Sequence, residues 1–294
     1  MQAIARQGQA GDSIIVRPQP NNKRIKFLTK RFYIYSLISM RFACLGSGSR
    51  GNGLVVEVGD TRLLLDCGFT LKETVIRLSR LGLEPEAING IIVTHEHDDH
   101  VGGVARLARK FGIPVWLTHG TLRSVERMFT PLPVINVIDG YQRFSIDDIE
   151  IEPYPVPHDA QEPAQFVFGN GALRLGVLTD AGCSTPHIET TLSNCHALVL
   201  ECNHDAQMLA NSDYSWSLKR RVGGRYGHLE NAASAELLGN LDCSRLQHIV
   251  AAHLSQKNNT PLLAQTVLSS ALNCGIDWIG VASQDDGFGW RQLF

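Results

Sequence analysis

Short apolar runs separated by turn residues form the main pattern of the chain from Met40 onwards. Runs of this length, bounded by Gly, Asp or Pro, are typical of β-strands. The first runs predict three strands and then a helix, at residues 42–45, 53–58, 61–65 and 71–81. Because Gly59-Asp60 separates the second run from the third, a hairpin turn is predicted there.

Strands and helices alternate along the rest of the chain. The β-branched run Ile91-Ile92-Val93 predicts a buried strand, and a helix-like stretch follows at residues 101–110. Later elements are a strand at 115–117, a helix at 121–128, mostly strands over 134–178, and then an alternation of strands (197–200, 249–252, 278–281) with helices (231–238, 261–272). Two mixed sheets with helices on their outer faces are consistent with this order.

The composition is that of an ordinary globular protein, with 44% hydrophobic and 19% charged residues in a chain of 294. Residues 1–40 carry seven Lys/Arg and one Asp, so the rest of the chain is acidic although the net charge is only −2. An acidic body does not favour broad electrostatic capture of nucleic acid, but it leaves room for a local basic patch. Residues 1–39 show no hydrophobic period, so we expect a disordered or non-native extension there and one folded domain over residues 40–294.

The seven cysteines are scattered, and no two of them form a Cys-x-x-Cys pair. This usage favours a reducing compartment without a disulfide framework. No apolar run reaches the roughly 18 residues that a membrane helix needs. The sequence therefore predicts a cytoplasmic protein with no membrane partner.

The densest chemistry lies in the heptapeptide Thr94-His95-Glu96-His97-Asp98-Asp99-His100, directly after the apolar run at 91–93. His95 and His97 are two residues apart at a strand end, so their side chains leave on the same side. Asp99 and His100 stand where the chain turns into the predicted helix. One turn thus offers one pair of ligands for each of two adjacent cations, and further ligands must come from elsewhere. Imidazole and carboxylate suit zinc, and a carboxylate-rich set also suits manganese.

This motif resembles that of the metallo-β-lactamase superfamily, and the resemblance covers roughly residues 40–294. It implies an α/β fold, the four-layer αββα sandwich of two mixed sheets with helices on the outer faces. Three later residues, each beside an apolar run, match the family's remaining metal-binding positions: His158, Asp180 and His253. The resemblance then implies two divalent ions, Zn²⁺ or Mn²⁺, the first on His95, His97 and His158, the second on Asp99, His100 and His253, with Asp180 bridging both.

Four segments resemble, more narrowly, the YycJ/WalJ-type branch of the superfamily, bacterial proteins described as 5′-to-3′ exonucleases on double-stranded DNA. They are residues 46–52, 200–205, 218–231 and 252–259. The resemblance implies a dinuclear phosphodiesterase acting on duplex DNA ends, with a hydroxide held between the two metals as nucleophile. The catalytic residues expected are Asp99, His228 and Glu201, where Glu201 orients His228 beside the scissile phosphate. Ser49, Asn52, His204 and Asn258 are expected to contact the substrate, although no particular role is assigned to His204.

A basic cluster supports a phosphodiester substrate independently of the resemblance. Four cations fall within seven residues of an otherwise acidic body: Lys219, Arg220, Arg221 and Arg225. Arg and Lys at this density suit phosphate oxygens, although a solvated helix face is the alternative. The branch pattern after His228 usually continues with Ser-Asn, whereas this chain has Glu230-Asn231, which places a carboxylate close to the expected path of the phosphates.

Other functions remain open at this stage. A hydrolase of small thioesters or lactones, similar to glyoxalase II or a lactonase, fits the ligand set equally well but leaves the basic cluster and His228 without a function. An iron redox protein of the same fold would carry Glu in place of the second His, and a binding protein with a dead site would lack ligands. The glycine-rich stretch at residues 46–51 matches a dinucleotide fingerprint, yet a strand follows where that motif requires a helix.

Overall fold

Two seven-stranded sheets form the centre of the fold in the computed structural model, which describes residues 39–131 and 134–294. The predicted extension at residues 1–39 lies outside the described residues except for Ser39. The first sheet has the order β14-β1-β2-β3-β4-β5-β6 and the second the order β13-β12-β11-β10-β9-β8-β7. In chain order the strands are Met40–Gly46, Gly53–Val58, Thr61–Leu65, Gly90–Ile92, Val115–Thr118, Ile135–Ile138, Phe144–Ile146, Ile149–Pro155, Ala164–Gly169, Arg174–Leu178, Ala197–Glu201, His248–Ala252, Ile279–Val281 and Phe288–Leu293.

Helices cover the outer face of each sheet. In chain order they are α1 (Leu71–Arg80), α2 (Asp98–Val101), α3 (Val104–Phe111), α4 (His119–Phe129), α5 (Pro186–Leu192), α6 (Ala206–Asn211), α7 (Trp216–Val222), α8 (Asn231–Asn240) and α9 (Pro261–Leu272). None of these helices in the described ranges combines the length and the apolar composition needed to cross a membrane.

Three apolar cores explain the layered arrangement. On β1 and β2, alternate side chains belong to different cores: Phe42 and Val56 lie in the core between the sheets, whereas Leu45 and Val55 pack under α1 and α3. A third core packs α5, α8 and α9 against the second sheet. Because both faces of these strands are buried, their sequences are continuously apolar rather than alternating. The predicted αββα sandwich with two mixed sheets is confirmed.

The parallel strands position the expected ligands at one edge. Strand β3 runs parallel to β4, and β10, β11 and β12 run parallel to one another, so their carboxyl ends lie together within each sheet. The helix predicted at residues 101–110 is divided into α2 and α3 by Gly102-Gly103. A Cβ on Gly103 would lie 2.0 Å from the carbonyl oxygen of Phe69, so glycine permits α3 to pack against the chain that leaves β3.

Gly68 fits tightly against the helix that carries Asp99 and His100. A Cβ at Gly68 would stand 1.8 Å from the carbonyl oxygen of Asp99, while the amide of Cys67 donates to the carbonyl oxygen of His100 at 2.7 Å. We therefore expect Gly68→Ala to lower the free energy of unfolding by about 1–3 kcal/mol or more, because backbone must move. Urea unfolding followed by circular dichroism measures the change. Gly140→Ala is the control, since nothing lies within 4 Å of a Cβ there; equal effects would contradict this account.

Candidate metal centre

The histidine-rich turn crosses the carboxyl end of β4 and places three imidazole nitrogens together with a later loop. His95 Nε2 lies 3.0 Å from His97 Nδ1, and His158 Nε2 lies 3.3 Å from the same nitrogen. His158 belongs to the loop after β8, as the sequence predicts. The three ligand atoms lie within 4.8 Å of one another, close enough to share one ion.

A second group of ligand atoms adjoins the first. Asp99 Oδ2 lies 3.5 Å from His100 Nε2 and 3.4 Å from His253 Nε2. Asp180 stands between the groups, with Oδ2 3.1 Å from His100 Nε2 and Oδ1 3.5 Å from His253 Nε2. Asp180 also shares a cluster with His95 and His100, so its carboxylate reaches both groups. The structure thus brings together all seven residues that the sequence nominates as ligands.

A left-handed backbone conformation directs several side chains of the site towards the candidate metal centre. Asp66, Asp180 and His253, each directly or closely after a strand, have φ values of 60°, 54° and 53°. Non-glycine residues rarely adopt positive φ, and such strain persists only where the surrounding structure enforces it. Here the hydrogen-bonded strand ends hold the backbone while the side chains turn into the site.

Outer hydrogen bonds fix which nitrogen of each ring faces the centre. His100 Nδ1 lies 2.8 Å from Asp66 Oδ2, and the His158 Nδ1–H donates to the carbonyl oxygen of Gly227 at 3.0 Å. His95 Nδ1 lies 2.9 Å from Thr94 Oγ1. In each case Nε2 remains for the centre, which is the arrangement that metal-binding histidines need.

The electrostatics differ between the two groups. Burial opposes protonation of His100, but Asp180 and Asp66 outweigh it and raise its pKa well above the usual range. Burial likewise opposes charge on His253, yet Asp180 and other carboxylates raise its pKa to about 10. Burial and the neighbouring His100 instead lower the pKa of His95. Positive charge is therefore favoured beside the carboxylates of the second group, while His95 favours the neutral imidazole, the form that binds a metal.

The donor set fits divalent ions. Asp180 is 2% exposed, and its Oδ2 accepts no hydrogen bond in the described part of the chain although it lies among imidazole rings. A buried carboxylate oxygen without a hydrogen bond is costly unless a cation compensates it. Imidazole nitrogens and carboxylate oxygens are the ligands of zinc sites that hydrolyse substrates.

His228 adjoins the centre and contacts Glu201. His228 Nδ1 lies 2.8 Å from Glu201 Oε1 and 3.4 Å from Asp180 Oδ1. Glu201 is fully buried at the end of β11, where its Oε2 also accepts the backbone amide of Ala181 at 2.8 Å. Burial disfavours charge on His228, but Glu201 outweighs it and raises the pKa of His228 above its usual value. The structure thus contains the contact that the sequence predicted; the catalytic role of the pair stays a prediction.

Asn52 and Asn258, which the sequence predicts to contact the substrate, are both buried. Asn52 is 6% exposed, and its side-chain oxygen accepts the amide of Gly48 at 2.8 Å while its nitrogen lies 3.1 Å from His100 Nε2. Asn52 therefore lies directly beside the ligand atoms of His100 and Asp99, with its nitrogen 3.4 Å from Asp99 Oδ2. Asn258 is 1% exposed, and its side chain finds no hydrogen-bond partner among the described residues. Both side chains are buried, and their contact with a substrate stays a prediction.

The remaining nominated residues surround two recesses. A cleft of about 400 Å³ exposes the metal centre, and Ser49 and Arg221 line it together with His97 and His228. A second recess of about 370 Å³ lies on the other side of His228 and is lined by His204 and Lys219. The other two cations of the basic cluster, Arg220 and Arg225, are exposed and line neither recess.

Asp159 and Asn203 are among the residues at the site that were not nominated from the sequence. Asp159, beside His158, accepts from Arg221 Nε at 2.6 Å and lies 3.5 Å from His158 Nε2. Asn203 donates its side-chain amide to the carbonyl oxygen of His253 at 2.9 Å. Each is adjacent to a nominated residue, which is the only sequence signal for it, because a supporting contact leaves no pattern of its own.

Comparison with known proteins agrees with this geometry. A profile of the β-lactamase superfamily domain matches residues 61–249. The chain belongs to the metallo-β-lactamase superfamily. It is 33% identical to exodeoxyribonuclease YycJ of Bacillus anthracis over 261 residues, which are 87% of this chain and 94% of that protein. It is 31% identical to exodeoxyribonuclease WalJ of Streptococcus pneumoniae over 245 residues, 81% of this chain and 90% of that one. The chain is thus a YycJ-like member of the superfamily and a metal-dependent hydrolase.

Solved structures of this superfamily share the fold at low sequence identity. The metallo-β-lactamase fold protein YhfI from Bacillus subtilis aligns with a TM-score of 0.69 at 15% identity, covering 87% of this chain and all of that one. Zn²⁺-bound PqqB from Methylobacterium extorquens aligns with a TM-score of 0.64 at 17% identity, covering 86% and 99% of the two chains. These likenesses support the sandwich fold.

Removing the shared carboxylate tests the centre. We expect Asp180→Asn to lose at least tenfold in affinity for Zn²⁺ or Mn²⁺, because even outer partners of metal ligands contribute 10–100-fold. Asn keeps the side-chain size and tolerates the left-handed backbone. Elemental analysis after dialysis against a chelator gradient measures the loss, and circular dichroism checks folding. Asp147→Asn is the matched control, since Asp147 is exposed and also has positive φ, 47°. Equal retention of metal by both variants would contradict the assignment.

Proposed function

We propose that the protein is a metal-dependent phosphodiesterase that removes nucleotides from the 5′ ends of double-stranded DNA. Two relatives that match most of this chain are named exodeoxyribonucleases, which supports a nucleic acid substrate. The single observation that carries the proposal is one cleft containing the metal centre, a histidine held by a buried glutamate, and an arginine at its mouth. Phosphodiester hydrolysis uses all three.

The chain's two ligand groups would hold two divalent ions, Zn²⁺ or Mn²⁺, with Asp180 between them. When bound, such ions supply Lewis acidity and lower the pKa of water from 15.7 to about 7. Asp180 and Asp99 bring negative charge that balances the ions. The outer bonds from Asp66 and Gly227 keep the rings of His100 and His158 in place, so the groups are oriented before a substrate arrives.

His228 is suited to proton transfer at the scissile phosphate. Since Nδ1 is directed at Glu201 Oε1, the other ring nitrogen is left to hold or release a proton in the cleft that His228 lines. The raised pKa favours the imidazolium, which stabilises developing negative charge and protonates a leaving oxygen. A positioned acid of this kind contributes typically 10²–10⁴-fold to a rate.

Arg221 is suited to hold a phosphate at the cleft mouth. Its side chain is 62% exposed, and Nε donates to Asp159 Oδ2 at 2.6 Å, while its terminal nitrogens bond no residue that the structure describes. An exposed ion pair contributes only about 0–1 kcal/mol, so Arg221 exchanges Asp159 for a phosphate at little cost. The planar guanidinium then offers paired donors to two phosphate oxygens.

Digestion of end-labelled DNA tests the proposal. We expect the protein, loaded with Zn²⁺ or Mn²⁺, to shorten linear duplexes from the 5′ end, because the cleft combines hydrolytic and phosphate-binding groups. Gel analysis of 5′-labelled and 3′-labelled strands gives the polarity. Covalently closed circles, which have no ends, should stay intact. Asp180→Asn and chelation are the inactive controls. Faster hydrolysis of a thioester or lactone than of bis(p-nitrophenyl) phosphate, with linear DNA untouched, would favour the small-ester alternative.

Arg221→Gln should weaken DNA binding selectively. Hydrogen bonds to charged groups contribute about 1.5–3 kcal/mol, so we expect KM for DNA to rise roughly ten- to hundredfold with a smaller change in kcat. The slope of log affinity against log salt concentration should fall by about 1 in magnitude, since one phosphate contact is lost. The matched control is Arg127→Gln, which removes an exposed cation of α4 that does not line the cleft. Equal effects of both substitutions would show that net charge alone matters.

A further inference from the structure

Helix α7 presents three chemically different faces. Leu218, Arg221 and Val222 line the cleft over the metal centre. Lys219 lines the second recess. Trp216 and Arg220 line neither the cleft nor the recess. They contact each other, with the guanidinium carbon of Arg220 5.0 Å from the ring centroid of Trp216. The helix therefore borders both recesses, and it carries an aromatic and cationic pair on a third side.

The Trp216–Arg220 pair has the chemistry of a base-stacking surface. Trp216 is 72% exposed, an unusual state for the largest apolar side chain. The seven residues of α7 carry three cations and no carboxylate, so the helix suits a polyanion. Exposed aromatic rings beside Arg and Lys are the surfaces on which proteins stack the bases of single-stranded nucleic acid. Helix α7 thus presents an exposed aromatic and cationic surface directly next to the cleft over the metal centre.

We propose that α7 separates the two strands at a duplex end. The strand to be hydrolysed passes the Arg221 face into the cleft, and the terminal base of the complementary strand stacks on Trp216 and Arg220. This inference rests on the proposed nuclease function and adds to it the step by which a paired end becomes a single strand. Trp216 and Arg220 themselves are exposed and line neither recess, so their side of α7 is open to the complementary strand.

The dimensions of a helix support this separation. An α-helix with its side chains is about 10–12 Å across, whereas the paired atoms of two bases are only about 3 Å apart. Strands that lie on different faces of α7 therefore cannot remain paired. Stacking of a base on an aromatic side chain is similar in size to the stacking lost when one base pair opens. Trp216 would thus offset the opening of about one pair.

Trp216→Ala tests the inference with two substrates that share the same cleaved strand. One is a blunt duplex, and the other has its last few pairs mismatched so that the end is already open. We expect kcat/KM on the blunt duplex to fall roughly tenfold, which corresponds to about 1.4 kcal/mol, because stacking no longer offsets the lost pair. On the opened end the loss should be less than about threefold. Trp216→Phe keeps an aromatic face and should restore most of the activity on the blunt duplex.

A fluorescent readout separates strand opening from a general loss of activity. 2-Aminopurine at the end of the complementary strand reports whether that base leaves the duplex and stacks on protein. It should respond to binding by the full-length Asp180→Asn variant and not by the variant that also carries Trp216→Ala. Trp278→Ala is the control for loss of an exposed indole, since Trp278 is 39% exposed and lines neither recess.

The outcomes distinguish this inference from the function on which it rests. If the wild-type protein degrades neither DNA substrate, the nuclease proposal falls and the inference falls with it. If the wild type degrades both and Trp216→Ala retains the blunt-end rate, only the separating role of α7 is overturned. Equal losses on blunt and opened ends would also overturn it, because Trp216 would then serve binding in general.

Discussion

Buried negative charge at one edge of the sandwich is the constraint on which the rest of the site depends. Asp66, Asp180 and Glu201 are each 3% exposed or less, and Asp180 adjoins the partly buried Asp99. Carboxylates taken out of water are strongly destabilising unless cations or several hydrogen bonds compensate them. Six histidines face these carboxylates or one another, and a divalent ion would supply the same compensation with a fixed geometry. Both folding and metal binding therefore require positive charge beside the buried carboxylates at this edge of the sandwich.

The parallel strands make such a concentration of charge possible. The carboxyl ends of β10, β11 and β12 lie side by side. Glu201 is the last residue of β11, and Asp180 and His253 come just after β10 and β12. The hydrogen bonds of a sheet fix the position of the backbone at the end of each strand. The positive φ of Asp180 and His253 then turns their side chains towards the site. Rigid strand ends with a locally strained residue give more accurate ligand placement than loops would.

The sequence contains enough information to predict the ligand set, because each ligand follows an apolar strand and the histidine-rich turn is local. The same reasoning predicts most strands, but it misses α5, α6, α7 and the final strand, which are short and have little hydrophobic periodicity. It also places Asn52 and Asn258 in contact with substrate, although both are buried. A motif shows that a residue belongs to a site, whereas the direction of its side chain depends on distant contacts, such as that between Asn52 and His100. The partner of Arg221 could not be predicted for the same reason, since Asp159 lies 62 residues away.

The division of charge between buried and exposed residues separates two tasks. The ligands are enclosed and held by several bonds each, so they determine that hydrolysis occurs but are indifferent to what is hydrolysed. Arg220 and Arg221 of α7 are exposed and weakly paired, so they contribute little to stability and remain available to an anionic partner. Both lie in the segment between β11 and β12, which adds no strand to either sheet. Because none of the seven candidate metal ligands lies in that segment, we infer that substrate choice in this protein is carried by α7 and its flanking turns.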